Sequence, residues 1–251
     1  MESPIAWASA PRELRLQENE IHLWRASLDC EAMVLRGLEA ILAPEEKSRA
    51  AKFVFVGDRD HFIAARGILR ELLGAYLHQV PAKVDIAYGA QGKPTLGGSS
   101  SDGALHFNLS HSHGMAVYAF SLGREVGIDL EAIRADFASH DIAKRFFSPE
   151  EVAELQSLPP ELRPEGFFLC WTRKEAYIKA RGEGLQIPLD SFRVSLTPGA
   201  PESLTSVDSA GWSLRAFEPT EGYAGAVVGE GVGWKLRYWQ WNPDWKSETG
   251  S

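Results

Sequence analysis

The sequence predicts an α+β protein with short antiparallel sheets. Three observations carry that expectation. Helical apolar stripes and strand-like runs both occur in each half of the 251 residues, without strict strand–helix–strand alternation. Several strand candidates follow one another directly, which suits neighbours joined by tight turns. Apolar residues at 44% and charged residues at 24% fit an ordinary globular core.

Residues 21–28 alternate partly and carry Trp24, so they read as a strand. Over 29–42, Met33, Val34, Leu38, Ile41 and Leu42 recur at helical spacing, with Asp29 as a candidate cap. Pro44-Glu45-Glu46 opens a short helix with proline and acids in its first turn. A longer helix runs from Asp58 to about Gln79, with Phe62, Ile63, Leu69, Leu72, Leu73, Tyr76 and Leu77 as its stripe. After Pro81, residues 84–88 alternate like a strand, and residues 97–103 read as a flexible loop. Strands are expected at 105–109, 115–122 and 125–131, then helices at 138–147 and 149–157. After the Pro159-Pro160 break, a strong helix spans Phe167 to Arg181 and stops at Gly182 and Gly184. The remainder reads as strands at 192–196, 212–217, 223–229 and 234–241. The last of these, with Trp234, Trp239, Trp241 and Trp245, is expected to pack on the second half, and Lys246 to Ser251 to fray. The boundary falls near Gly123, giving halves 1–123 and 124–251.

The chain has 26 Lys+Arg against 34 Asp+Glu, a formal net charge of -8. That argues against nucleic acid or an anionic membrane as partner, though not against a local basic pocket. The N-terminus lacks a signal-peptide pattern, and no apolar run approaches the roughly 20 residues of a membrane span. Cys30 and Cys170 form no CxxC pair. A cytoplasmic protein is expected.

Four groups of residues carry chemistry. In Val126-Gly127-Ile128-Asp129-Leu130-Glu131, strand alternation puts Asp129 and Glu131 on one face, about 7 Å apart, with Gly127 clearing space beside them. Such a pair either holds a hard cation, Mg²⁺ or Mn²⁺ rather than Zn²⁺, or is a solvated acidic face. Trp171, Glu175 and Lys179 form one helical stripe with Lys174 beside it. Glu175 is then a third ligand or a general base near phosphate-binding cations, or one member of an ordinary Glu–Lys pair. Asn108 to His113 reads as a turn whose serines and histidines can present hydroxyl, imidazole and backbone N–H groups to an anion, with a His-x-His zinc site and a Ser-His hydrolase pair as the weaker alternatives. Between Pro44 and Arg70, Lys47, Arg49, Lys52, Arg59, Arg66 and Arg70 outnumber the acids Glu45, Glu46, Asp58 and Asp60, and Lys93 adds a cation on a Gly-Lys-Pro turn.

The order of PEEKSR, GKP, NLSH, GIDLE and WTRKEAYIK, followed by GEGLQIPLDSF, resembles the 4'-phosphopantetheinyl transferases of the larger, single-chain Sfp type. The resemblance extends from about Pro44 to Phe192. It implies two similar α+β halves related by a pseudo-twofold, with coenzyme A and the metal in the cleft between them, and hence a monomer. It implies that Asp129, Glu131 and Glu175 bind magnesium, with Asp129 also near the cofactor, and that Glu175 serves as base for the attacking serine. Lys179 matches a lysine near the pyrophosphate and Lys174 a second phosphate contact. Ser110 and His111 match positions that touch coenzyme A phosphates, Lys93 the lysine of the GKP turn, and Arg49 an arginine at the 3'-phosphate, with Lys47 and Arg66 as neighbours. His113 matches nothing and is left as a turn or surface residue. The implied activity moves phosphopantetheine to a serine of an apo acyl or peptidyl carrier protein. The rivals are a non-catalytic carrier-protein or nucleotide binder on the same fold and a metal-dependent phosphohydrolase. Carrier docking is expected at 138–165, with Phe146, Phe147, Val152 and Leu155, or on the loop before Lys93; the alternative for those side chains is the core.

Overall fold

The computed structural model describes residues 5–11, 13–89, 91–98, 105–138, 140–206 and 209–245. The first half runs β1 (Ala8–Ser9), β2 (Glu20–Ser27), α1 (Ala32–Ala40), α2 (Pro44–Ala50), α3 (Val56–Tyr76), β3 (Ile86–Tyr88), β4 (Pro94–Leu96), β5 (Leu105–Ser112) and β6 (Met115–Leu122). The second half runs β7 (Val126–Ala132), α4 (His140–Phe146), α5 (Pro149–Ser157), α6 (Arg163–Arg181), β8 (Arg193–Val194), β9 (Leu204–Thr205), β10 (Trp212–Phe217), β11 (Tyr223–Glu230) and β12 (Lys235–Gln240). Most of the expected loop at 97–103 and the expected frayed tail at 246–251 lie outside the described residues.

Alternation along β2 dictates the layering. Ile21 and Leu23 face one core, Trp24 and Ala26 another, and all four are fully buried. A strand covered on both faces needs a layer on each side. On one side lies α3, whose Ile63, Ile68, Leu69, Leu72 and Leu73 pack with Trp24, Tyr118 and Phe120. On the other lies a second sheet, where Val126, Ile128, Leu130 and Val227 meet Ile21, Leu23, Val117 and Ala119. The outer face of that sheet, Ala224, Ala226 and Val228, packs on α6 through Ala176, Ile178 and Ala180. The order of layers is therefore helix, sheet, sheet, helix.

The first sheet has the order β1-β12-β2-β6-β5 and the second β10-β11-β7. The second is antiparallel throughout. The first is antiparallel from β2 through β6 to β5, but β12 and β1 join in parallel. The tryptophan-rich final strand thus returns to the first sheet instead of packing on the second half. The reason is the bare edge of β2: its buried IHLW stretch needs a partner strand and apolar cover. Trp245 meets the Trp24 ring edge at 5.0 Å, and Trp241 donates its indole N–H to Glu71 of α3 at 3.0 Å.

Three expectations shift locally. The first helix begins at Ala32, and Asp29 does not cap it; Asp29 accepts instead from His61 at 2.8 Å. The segment read as a turn, 110–112, continues β5; the turn is His113-Gly114, with φ of 46° and 79°. Two successive positive φ values make the tight hairpin whose twist matches the strands. The proposed docking side chains at 138–165 are core: Phe147 and Leu155 are buried, and Phe146 and Val152 pack against the same cluster. Residue 90, before Lys93, lies outside the described residues.

Candidate active site

One glycine sets the distance between α6 and β7. A Cβ on Gly127 would lie 2.2 Å from both the Ala176 carbonyl oxygen and the Ala180 amide nitrogen, so only hydrogen allows this approach. Asp129 and Glu131 follow on the same strand face, while Val126, Ile128 and Leu130 point into the inter-sheet core. The Trp171–Glu175–Lys179 stripe on α6 is thereby brought over the acidic pair. Together with Leu109, Ser110 and His111 from β5, these five side chains line a cavity of about 430 Å³.

The strands β5 and β7 are stitched by side chains. Asn108 accepts the Ile128 N–H through Oδ1 at 2.9 Å, and Ser112 Oγ accepts the Ala132 N–H at 3.3 Å. Ser110 donates to Asp129 at 2.8 Å and Ser112 to Glu131 at 2.7 Å. These bonds satisfy backbone groups on the β7 edge away from β11 and aim both carboxylates. Sequence reasoning misses Asn108 and Ser112 as site residues. The signal that could have found them is polar residues at 108, 110 and 112 on one strand face, hidden when 110–112 is read as a turn.

The charges of the cleft are uneven. Lys179 Nζ sits 2.6 Å from Asp129 Oδ1 and 3.2 Å from Ser110 Oγ. Asp129 Oδ2 is buried without a hydrogen-bond partner. Burial, with the charges of Asp129 and Glu131, pushes the Glu175 carboxyl up to about 6, Lys179 opposing. Burial also pushes Glu131 up, against the Ser112 hydrogen bond. An orphaned carboxylate oxygen and two carboxyls resisting ionisation, all oxygen donors, fit a hard divalent cation. Among the described residues, however, no three such groups are already gathered as a metal cage. On the β5 side, burial lowers the His111 pKa, helped by the charges of Lys179, His61 and Arg49.

Not every expected residue reaches this cleft. Lys174 is fully buried elsewhere, donating to the Leu189 and Phe192 carbonyls at 2.6 Å each and paired with Glu151 at 2.8 Å. One step along a helix from Glu175 is a turn of about 100°, which carries Lys174 round to a core-facing side. It braces α6 and the 189–192 segment, and it contacts no phosphate from there. Lys93 is likewise outside the cavity lining, bound to Glu125 at 2.8 Å and near the Ala180 carbonyl at 3.3 Å. Glu125 is held down to about 2, first by the His106 hydrogen bond and then by Lys93 against burial. Arg66 and Arg70 are buried around Glu46, at 2.9 and 2.5 Å, and neither is a free phosphate ligand. Arg49 is exposed, its guanidinium 5.2 Å above the Phe62 ring; its charge reaches His111, though it does not line the cavity itself.

A model of the 4'-phosphopantetheinyl transferase superfamily matches residues 125–228, and one of a 4'-phosphopantetheinyl transferase N-terminal region matches residues 24–122. The chain belongs to the 4'-phosphopantetheinyl transferase superfamily. The 4'-phosphopantetheinyl transferase HetI of Nostoc sp. is 41% identical over 235 residues, 94% of this chain and 98% of its own. The 4'-phosphopantetheinyl transferase Sfp of Bacillus subtilis is 31% identical over 191 residues, 75% of this chain and 82% of its own. A solved holo-(acyl-carrier-protein) synthase from Bacillus anthracis, 20% identical, overlays on 43% of this chain and 96% of its own with a TM-score of 0.38.

Proposed function

We propose that this chain transfers the 4'-phosphopantetheine group of coenzyme A to a serine of an apo acyl or peptidyl carrier protein and releases adenosine 3',5'-bisphosphate. The observation that carries this reading is the meeting of Ser110 and His111 with Asp129, Glu131, Glu175 and Lys179 in one cleft. Division at Gly123 then assigns cofactor binding chiefly to 1–123 and metal and catalytic groups to 124–251. A pseudo-twofold between the halves is supported by a long helix on the outer face of each sheet. With both halves on one chain, the enzyme works as a monomer. Free Cys30 and Cys170 suit a reducing cytoplasm.

Asp129, Glu131 and Glu175 would hold Mg²⁺, or Mn²⁺, which when bound supplies positive charge to the pyrophosphate. The side chains do the rest. Glu175 takes the proton of the attacking serine hydroxyl; in the metal-free protein its carboxyl is pushed up to about 6 by burial and the neighbouring carboxylates. The serine oxygen bonds to the β-phosphorus as the bond to the bisphosphate breaks. Lys179 meets the charge that grows on the departing phosphate. His111 holds a phosphate oxygen, Ser110 does so when its hydroxyl turns from Asp129 to the phosphate, and Arg49 neutralises the 3'-phosphate at the mouth. Positioning and electrostatics dominate, as in other phosphoryl transfers.

Incubation with coenzyme A, Mg²⁺ and apo carriers of acyl, peptidyl and aryl type tests this directly. The expected result is a carrier heavier by one phosphopantetheine. Coenzyme A binding with no mass gain would mean a non-catalytic binder. Bisphosphate release without a carrier would mean a phosphohydrolase.

A further inference from the structure

The bend between α2 and α3 breaks a local rule. Phe53, Val54, Phe55 and Val56 follow one another with relative exposures of 37%, 87%, 70% and 63%. Four consecutive exposed apolar side chains are unusual on a monomer surface. Phe55 also occupies the N-cap of the 21-residue helix α3, where it provides no side-chain hydrogen bond. Serine, threonine, aspartate or asparagine at that position would satisfy an orphan N–H. The sequence therefore forgoes helix stability to keep an aromatic ring in water, a departure expected where a surface has a task.

The bend borders the cleft. The Phe53 ring lies 5.3 Å from Phe62, over which Arg49 stacks. The adjacent His61 holds Asp29, and Asp29 Oδ2 would lie 3.1 Å from a Cβ on Gly114, in the turn that ends β5. Two residues before that turn glycine, Ser112 grips Glu131. The flank carries three exposed cations, Lys47, Arg49 and Lys52, none of them in a salt bridge among the described residues, against two exposed acids, Glu45 and Asp58, with Arg59 and Asp60 paired to each other. The nearby acid Glu46 is buried and neutralised by Arg66 and Arg70. An apolar strip beside such cations, on a chain of net charge -8, fits an acidic partner that offers an apolar helix face.

We infer that Phe53–Val56, with Lys47 and Lys52, is the docking surface for the acidic carrier protein whose serine enters the cleft. This inference rests on the transferase reading. It assigns docking to the first half, where the sequence pointed to 138–165. The catalytic groups lie mostly on the second half, so a carrier seated here spans the mouth between them.

The test uses the full chain, Mg²⁺, coenzyme A and the apo carriers described above. In the double variant Val54→Ser/Phe55→Ser, the hydroxyl introduced at position 55 can cap α3, so the melting temperature should not fall. The KM for carrier should rise about tenfold or more, the loss typical of removing an interface anchor, while the KM for coenzyme A stays within about twofold. Lys52→Glu should raise the carrier KM at low salt and lose that effect as salt screens it. An unchanged carrier KM in both variants overturns the inference while leaving the transferase reading intact. Equal rises in both KM values overturn it in favour of the adenosine end of coenzyme A. Loss of a wild-type dimer with carrier KM unchanged overturns it in favour of a second copy. Failure of the wild type to modify any carrier is a different result, and it removes the transferase reading itself.

Discussion

At the residue scale, neighbours in one motif have separate jobs. Glu175 faces the cavity and Lys174 the core, although both belong to the KEA stretch. Breaking a buried pair leaves an uncompensated charge and costs about 3–5 kcal/mol. Lys174→Ala is therefore expected to lower stability, measured by denaturant unfolding, by about that much. In whatever fraction stays folded, the KM for coenzyme A should be near normal. A raised KM with unchanged stability would restore Lys174 as a phosphate contact. Glu175 has the opposite signature. Its folded-state value of about 6 lies above the ordinary 4.5, so the folded chain keeps that proton longer than the unfolded chain. Stability of the metal-free protein is thus lost as pH rises from about 4.5 through 6, on the order of 2 kcal/mol. Glu175→Gln should raise the melting temperature at pH 7 and leave it unchanged near pH 4.

At the element scale, the site depends on how closely α6 lies on β7 and on how β5 is tied to β7. Gly127→Ala puts a methyl group into α6 backbone, and overpacking of that kind costs about 1–3 kcal/mol or more. Transfer should fall further than the stability loss explains, because Glu175 and Lys179 move with the helix; a variant with normal turnover would show that the helix spacing does not matter. Asn108→Ala should leave the Ile128 N–H without a partner. It is expected to lower kcat with little change in the KM for coenzyme A, whereas a pure KM effect would indicate direct cofactor contact. These ties also explain what the sequence disclosed. Alternation in Val126–Glu131 and the i, i+4, i+8 stripe of Trp171, Glu175 and Lys179 are local patterns, and both faces were legible. The Asn108–Ile128 bond is a match between strands of different sheets, and no single segment displays it. Lys93 and Lys174 look identical to site lysines in one dimension; only the positions of Glu125 and Glu151 divert them.

At the scale of the whole molecule, the two halves share a core. The inter-sheet core joins Ile21 and Leu23 to Val126, Ile128 and Val227, and β12 returns from the end of the chain to cover β2. That return was illegible because parallel pairing of Lys235–Gln240 with Glu20–Arg25 leaves no local mark. Calorimetry should show a single transition; two resolved transitions would mean that the halves unfold independently. The same closure puts groups from both halves into one cleft, so that an acidic chain handles a polyanion by local arrangement of charge. The most direct measurement is single-turnover transfer to an apo carrier by Glu175→Gln, with coenzyme A binding measured alongside. Retained coenzyme A affinity with a transfer rate about 10²–10⁴-fold lower, the worth of a general base, is the predicted result. A normal transfer rate at neutral pH would contradict the assignment of this cleft as the place where the serine loses its proton.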